Sequence, residues 1–125
     1  MCLREVLTII QAQLFSHDPD EPAVQFDLAC EVHSGFGADL MSDVLRYDVA
    51  RGLLVTGLVN PQIVRTAEMA DVSAILMVRG KAPLPETVEL ARKLGIPIVG
   101  TQMTMFETCG RLYAAGLPAT RRQGA

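Results

Sequence analysis

Leu3, Val6, Leu7 and Ile10 recur at helical spacing, which predicts a short amphipathic helix over residues 2–12. A strand fits Gln13 to Ser16, ahead of the polar, proline-bounded loop His17-Asp18-Pro19-Asp20-Glu21-Pro22. Val24, Phe26, Leu28, Cys30 and Val32 alternate with other residues and would share one face of a strand. Ser34-Gly35-Phe36-Gly37 reads as a turn. Leu40, Met41, Val44 and Leu45 then form a helical stripe, with Asp39 near the helix start, where a carboxylate is favoured.

From residue 52 the pattern becomes regular. Leu53 to Gly57, Ala74 to Val78 and Ile96 to Gly100 are apolar runs of strand length. Helices fill the gaps between them. Asn60-Pro61 combines a preferred cap with a proline at the first helical position, ahead of Ile63, Val64, Ala67 and Ala70. Pro85-Glu86 opens a second helix with Val88, Ala91 and Leu94 inward and Gly95 as its stop. Thr104 to Glu107 matches a capping box for a third, which carries Phe106, Cys109, Leu112 and Tyr113 and ends before Gly116 and Pro118. Strands alternating with helices about 20 residues apart imply a parallel sheet with right-handed crossovers. Apolar runs without alternation imply strands covered on both faces. The expectation is a three-layer α/β domain over residues 1–118, with a flexible tail at 119–125.

Composition narrows the function. The chain has 125 residues, 50% of them apolar and 20% charged, enough for one packed core. A net charge of −3, 5% aromatics and no Trp offer neither a phosphate-binding basic run nor a base-stacking platform, so a nucleic-acid partner is not expected. No segment reaches the roughly 20 apolar residues of a membrane helix. Three scattered cysteines, Cys2, Cys30 and Cys109, suit reduced thiols in a cytoplasmic protein.

Catalytic patterns are missing. Gly80-Lys81 invites comparison with a P-loop, but Ile75 stands where the first glycine is required and Ala82 where a Ser or Thr is. The two histidines, His17 and His33, form no metal spacing, so neither a metal nor a cofactor is expected. A Cys–His nucleophilic pair would need a tertiary contact involving His33 or Cys109.

Ligands of open parallel sheets bind beyond the carboxyl ends of the strands. That rule selects the loops holding Thr56, Gly57 and Asn60, then Arg79, Gly80 and Lys81, then Thr101 and Thr104. Each loop leads into a helix N-terminus, which favours anions, and Arg79 and Lys81 add full charges. The other reading of the same residues is glycine turns, helix caps and solvated cations. Asp39, Ser42 and Asp43, on a polar side of their helix, are candidates for contact with a partner.

Two stretches carry a family resemblance. One runs from Gly80-Lys81-Ala82-Pro83 through Glu86, Ala91, Gly95-Ile96-Pro97-Ile98 and Thr101 to Phe106-Glu107 and Leu112. The other is Asp39-Leu40-Met41-Ser42-Asp43-Val44-Leu45, followed by Leu53-Leu54-Val55-Thr56 and Asn60. Together, over roughly residues 37 to 117, they resemble the DRTGG domain family, which is similar to the N-terminal domain of bacterial HPr kinase/phosphorylase. Where other members carry polar Asp and Arg after the middle strand, this chain has Gly57, Leu58 and Val59. The resemblance implies an α/β fold of the HPr kinase N-terminal type and a regulatory or assembly role. Two functions are expected from these readings. One is a non-catalytic regulatory domain, a homo-oligomer such as a dimer acting on a partner enzyme. The other is a sensor of a nucleotide or phosphorylated metabolite at the carboxyl edge of the sheet.

Overall fold

An apolar run with no alternation must be buried on both of its faces. The computed structural model, which describes residues 1–15 and 28–122, meets that demand with an α/β sandwich. Its elements are α1 (Leu3–Ile9), β1 (Gln13–Leu14), β2 (Gly35–Gly37), α2 (Met41–Arg46), β3 (Tyr47–Asp48), β4 (Leu53–Thr56), α3 (Pro61–Met69), β5 (Ala74–Met77), α4 (Pro85–Leu94), β6 (Ile98–Gly100), α5 (Met105–Ala114) and β7 (Arg121–Arg122). Five strands form one sheet in the order β1-β6-β5-β4-β2. β2, β4, β5 and β6 run parallel, and β1 closes one edge antiparallel to β6. β3 and β7 make a separate antiparallel ribbon.

The strand pleat sorts the core into two layers. Leu53, Val55, Ala74, Leu76, Val78 and Val99 face one side, against Leu3, Val6 and Ile10 of the first helix, Leu112 of α5, and Leu117. Leu54, Ile75, Met77 and Ile98 face the other, against Val44 of α2, Ile63, Val64 and Ala67 of α3, and Ala91 of α4. Chain order explains the split. The parallel strands advance in one direction across the sheet, so right-handed crossovers put α2, α3 and α4 on one face. The elements before and after that run, α1 and α5, are left to cover the other.

The N-terminal third departs from expectation. Gly35–Gly37 is not a turn but the edge strand β2, in register with Leu53–Val55. Its glycines reflect crowding: a β-carbon on Gly35 would stand 3.1 Å from the Leu117 side chain, and one on Gly37 would stand 3.1 Å from the Cys109 sulfur. Two glycines where turns usually have them hid a strand that must pass close under α5. The strand expected over Val24–Val32 lies partly outside the described residues. Its described end is not a strand. Instead, the carbonyls of Leu28 and Cys30 accept from Arg4 N–H and Leu3 N–H, each at 2.9 Å, satisfying the first turn of α1.

Three helix faces are also corrected. On α5 the sheet takes Thr108 and Leu112, with Met105 and Cys109 beside them, while Phe106 and Tyr113 stay 91% and 69% exposed. Both rings lie one step round the helix from the buried stripe. On α4, Thr87, Leu90, Ala91 and Leu94 face inward, and Val88 is not among them. On α2, Val44 is buried, while Leu40 and Leu45 are exposed. At the C-terminal end, residues 119–122 are tied to the body. Ala119 bridges Gly35, Thr120 N–H donates to the Gly35 carbonyl at 3.2 Å, and β7 pairs with β3.

Candidate functional site

The carboxyl ends of β2, β4, β5 and β6 lie along one edge of the sheet, and most of the residues singled out from the sequence meet there. β2 ends just before Asp39, whose carboxylate turns back across the edge rather than onto the polar face of α2. It accepts from Gly57 N–H at 2.7 Å and from Thr56 Oγ1 at 3.2 Å. The Thr56 hydroxyl in turn accepts from Leu58 N–H at 3.1 Å. Leu40, not Asp39, occupies the cap of α2, with no side-chain cap bond. Asp39 therefore stands apart from Ser42 and Asp43, its expected companions on a partner-facing surface.

The Arg79 guanidinium lies over Gly57, in the space that a β-carbon there would occupy, and Asp39 Oδ1 stands 3.4 Å from the same point. The ion pairs among the described residues are Met1–Glu31, Lys93–Glu89 and Arg111–Glu107, and neither Arg79 nor Lys81 belongs to them. Two cations thus stand at the end of β5 without a salt bridge among the described residues.

Arg79 and Gly80 form a left-handed pair, with φ of 62° and 68°. That region is natural for glycine and costly for arginine. Two main-chain bonds hold it: Arg79 N–H donates to the Met103 carbonyl at 2.8 Å and Gly80 N–H to the Thr101 carbonyl at 2.9 Å. The loops after β5 and β6 are thereby stitched together. Gln11, also on this edge, is a second non-glycine in the same conformation, with φ of 51°. Arg51 and Asp71, ahead of β4 and β5 at the other end of those strands, share it with φ of 59° and 58°, so the conformation by itself does not mark the site.

Between the two stitched loops lies a crevice of about 190 Å³. Gly80, Lys81 and Ala82 form one wall, Thr101 and Gln102 the other, and Gln11, Gln13 and Phe15 close it from the β1 side. The chain leaves β5 for α4 on one face of the sheet and leaves β6 for α5 on the opposite face. Adjacent strands whose connections diverge in this way open the cleft where open α/β sheets take their ligands.

The remaining sequence candidates have structural jobs. Asn60 Oδ1 accepts from Ile63 N–H at 3.3 Å and caps α3, and Thr104 Oγ1 accepts from Glu107 N–H at 3.2 Å and caps α5. Thr101 lines the crevice, yet its buried hydroxyl donates to the Ile10 carbonyl at 2.7 Å and pins the end of α1 to β6. The sequence reading missed Gln11, Gln13 and Phe15, whereas Gln102 belongs to the loop at 100–104 that the strand-end rule selects. Only the antiparallel pairing of Gln13 with Gly100 brings the first three to this edge, and no local pattern announces such a pairing. His33 and Cys109 do not come together in one cavity. His33 lines a cavity with Asp48 and Arg121, whereas Cys109 lies beside Gly37, its thiol pushed up by burial. Among the described residues no cluster of His, Cys, Asp and Glu fits a metal ion, and no helix is long and apolar enough to cross a membrane.

No family model matches the sequence, and no curated protein does. A solved structure does match the fold. It is the crystal structure of the CBS and DRTGG domains of the regulatory region of Clostridium perfringens pyrophosphatase, complexed with an activator, diadenosine tetraphosphate. The two superpose with a TM-score of 0.67 at 17% sequence identity, over 98% of this chain and 51% of that one. This chain spans about half the length of the chain it matches, and the likeness is one of fold.

Proposed function

We propose that this chain is a regulatory domain of the DRTGG type that binds a nucleotide or phosphorylated metabolite at the carboxyl edge of its sheet and acts on a partner enzyme. The observation that carries this reading is the crevice between the loops after β5 and β6, with Arg79 and Lys81 beside it and outside every ion pair described. An anion placed there would meet the Lys81 ammonium, with Arg79 on the same loop and its guanidinium over Gly57, while the amides of Gln11, Gln13 and Gln102 offer both donors and acceptors to a polar ligand. The likeness to a pyrophosphatase regulatory region solved with a nucleotide activator supports a regulatory role.

Thermal unfolding measured with ATP, ADP, AMP, diadenosine tetraphosphate, sugar phosphates and inorganic phosphate tests the reading. A ligand at a hundredfold excess over its dissociation constant adds about 2.7 kcal/mol, an upward shift in Tm on the order of 10 °C for a domain of this size. The shift should shrink in Lys81→Ala. No shift with any of these ligands at millimolar concentration would remove the sensor reading.

A further inference from the structure

The outer face of α5 carries two large apolar side chains that the fold leaves in solvent. Phe106 is 91% exposed and Tyr113 is 69% exposed. They are seven residues apart and so lie on one stripe of the helix, with Gly110 between them. Among the described residues, no atom outside the helix's own neighbouring backbone comes within 4 Å of the place a β-carbon on Gly110 would take, so the helix is open to close approach at the middle of the stripe. Glu107 and Arg111 flank the stripe on the side away from the sheet. They are joined to each other at 3.1 Å, and each side chain is about half exposed, at 47% and 50%. Each therefore keeps hydrogen-bonding capacity for a second partner.

We propose that this face is the interface of a two-fold symmetric homodimer, in which α5 packs antiparallel against α5 of a second copy, with the axis passing beside Cys109 and Gly110. The order of residues along the helix carries the argument. A two-fold axis across a helix reverses that order in the second copy. Placed beside Cys109 and Gly110, it sets Phe106 against the other copy's Tyr113, and the same operation sets Glu107 against the other copy's Arg111. One axis position thus serves both the aromatic and the charged pairs to within about half a residue of helical rise, ~0.8 Å, and Gly110 lies next to the axis where the backbones come closest. A parallel pairing would set Phe106 on Phe106 and Glu107 on Glu107, and like charges face to face are destabilising.

An apolar groove of about 370 Å³ continues the surface. Its floor is Phe36, Val55, Leu112 and Leu117, and Phe106 and Tyr113 stand on its rim. Two aromatic side chains bury roughly 300–500 Å² per protomer. With the groove, the interface would approach the roughly 800 Å² per partner of an ordinary complex from below. An interface below the standard size suits a weak, reversible dimer, and we take a dissociation constant on the order of 10 µM as the range to search.

Sedimentation velocity on the whole chain, from about 1 to 200 µM to bracket that constant, tests the proposal. Four variants accompany the wild type: Phe106→Asp, Glu107→Arg, Arg111→Glu and the double exchange Glu107→Arg with Arg111→Glu. All four change solvent-exposed side chains, and far-ultraviolet circular dichroism checks that each remains folded. The wild type should move from the 13.5 kDa monomer to twice that mass across the series. Phe106→Asp and each single charge reversal should weaken association at least tenfold. The double exchange restores opposite charges across the axis and should recover association to within about threefold of wild type, since a factor of three is under 1 kcal/mol. A wild type that stays monomeric throughout overturns the proposal. So does a dimer indifferent to Phe106→Asp, which would use another face, and so does a double exchange no better than the single reversals, which would deny the antiparallel register.

Discussion

Arg79 offers a way to separate folding from binding at one residue. Its φ of 62° places a side chain where glycine is at ease, and two main-chain bonds to the β6–α5 loop hold it there. Left-handed backbone costs a residue with a β-carbon about 1–2 kcal/mol. Arg79→Gly removes that cost. It also loosens the unfolded chain, which takes back roughly 0.4–1 kcal/mol. The net expectation is a gain of about 0.5 kcal/mol over wild type. Arg79→Ala keeps the β-carbon and so keeps the strain. The guanidinium is exposed and unpaired among the described residues, so its loss should move stability by no more than about 0.5 kcal/mol either way. Urea unfolding of the three proteins at equal m should therefore rank Arg79→Gly above Arg79→Ala. Binding of any phosphorylated ligand should fall by the same factor in both, roughly 10- to 100-fold for one charged hydrogen bond. An Arg79→Gly protein less stable than Arg79→Ala by more than about 0.5 kcal/mol would refute the strain argument. Undiminished binding in both variants would refute the placing of the ligand beside Arg79.

Two further outcomes are expected. Thr108 is fully buried on α5 and its hydroxyl has no hydrogen-bond partner among the described residues, a situation that costs about 1–3 kcal/mol; Thr108→Val should raise Tm by several degrees in calorimetry, and a fall would mean that the hydroxyl is satisfied after all. Burial pushes the Cys109 thiol up, so the folded state favours the neutral form. The associated stability is fully present below the unfolded thiol value of about 8.5 and is lost as pH rises through the folded value. The difference in urea midpoint between wild type and Cys109→Ala should then drift against the wild type above about pH 9, and a flat difference up to pH 10.5 (about two units past that value) would remove the effect.

The repeating part of the fold was legible because each of its signals is local. Leu53–Thr56, Ala74–Met77 and Ile98–Gly100 are strands because short apolar runs between capped helices have few other options, and Asn60 and Thr104 cap as their positions in sequence require. What escaped depends on contacts distant along the chain. Gly35–Gly37 looks like a turn until Leu117 and Cys109, some 70 to 80 residues later, are seen to demand the missing side chains. Phe106 and Tyr113 looked like core because the apolar set on α5 is broader than the strip that a sheet can cover, and the sequence does not say which part the sheet takes. Of the residues that the carboxyl-edge rule selects, Gly80, Lys81 and Thr101 line a crevice and Arg79 lies over Gly57, since the rule needs only the strand order. It said nothing of Gln11, Gln13 and Phe15, which arrive through the antiparallel edge strand.

The crevice and the outer face of α5 are not independent parts of the molecule. The loop from Thr101 to Thr104 belongs to both: its first residues line the crevice, and its last caps α5. Arg79 and Gly80 are bonded into that loop through the Met103 and Thr101 carbonyls. A ligand that draws Arg79 or Lys81 toward itself pulls on the residues from which α5 starts, and a second copy seated on α5 restrains the same residues from the other end. Coupling of this kind is reciprocal: if a ligand changes the dimer constant by some factor, dimerisation changes the ligand's affinity by the same factor. The four-residue loop is short and its backbone is bonded at both ends, so a displacement has little slack in which to dissipate before it reaches the helix.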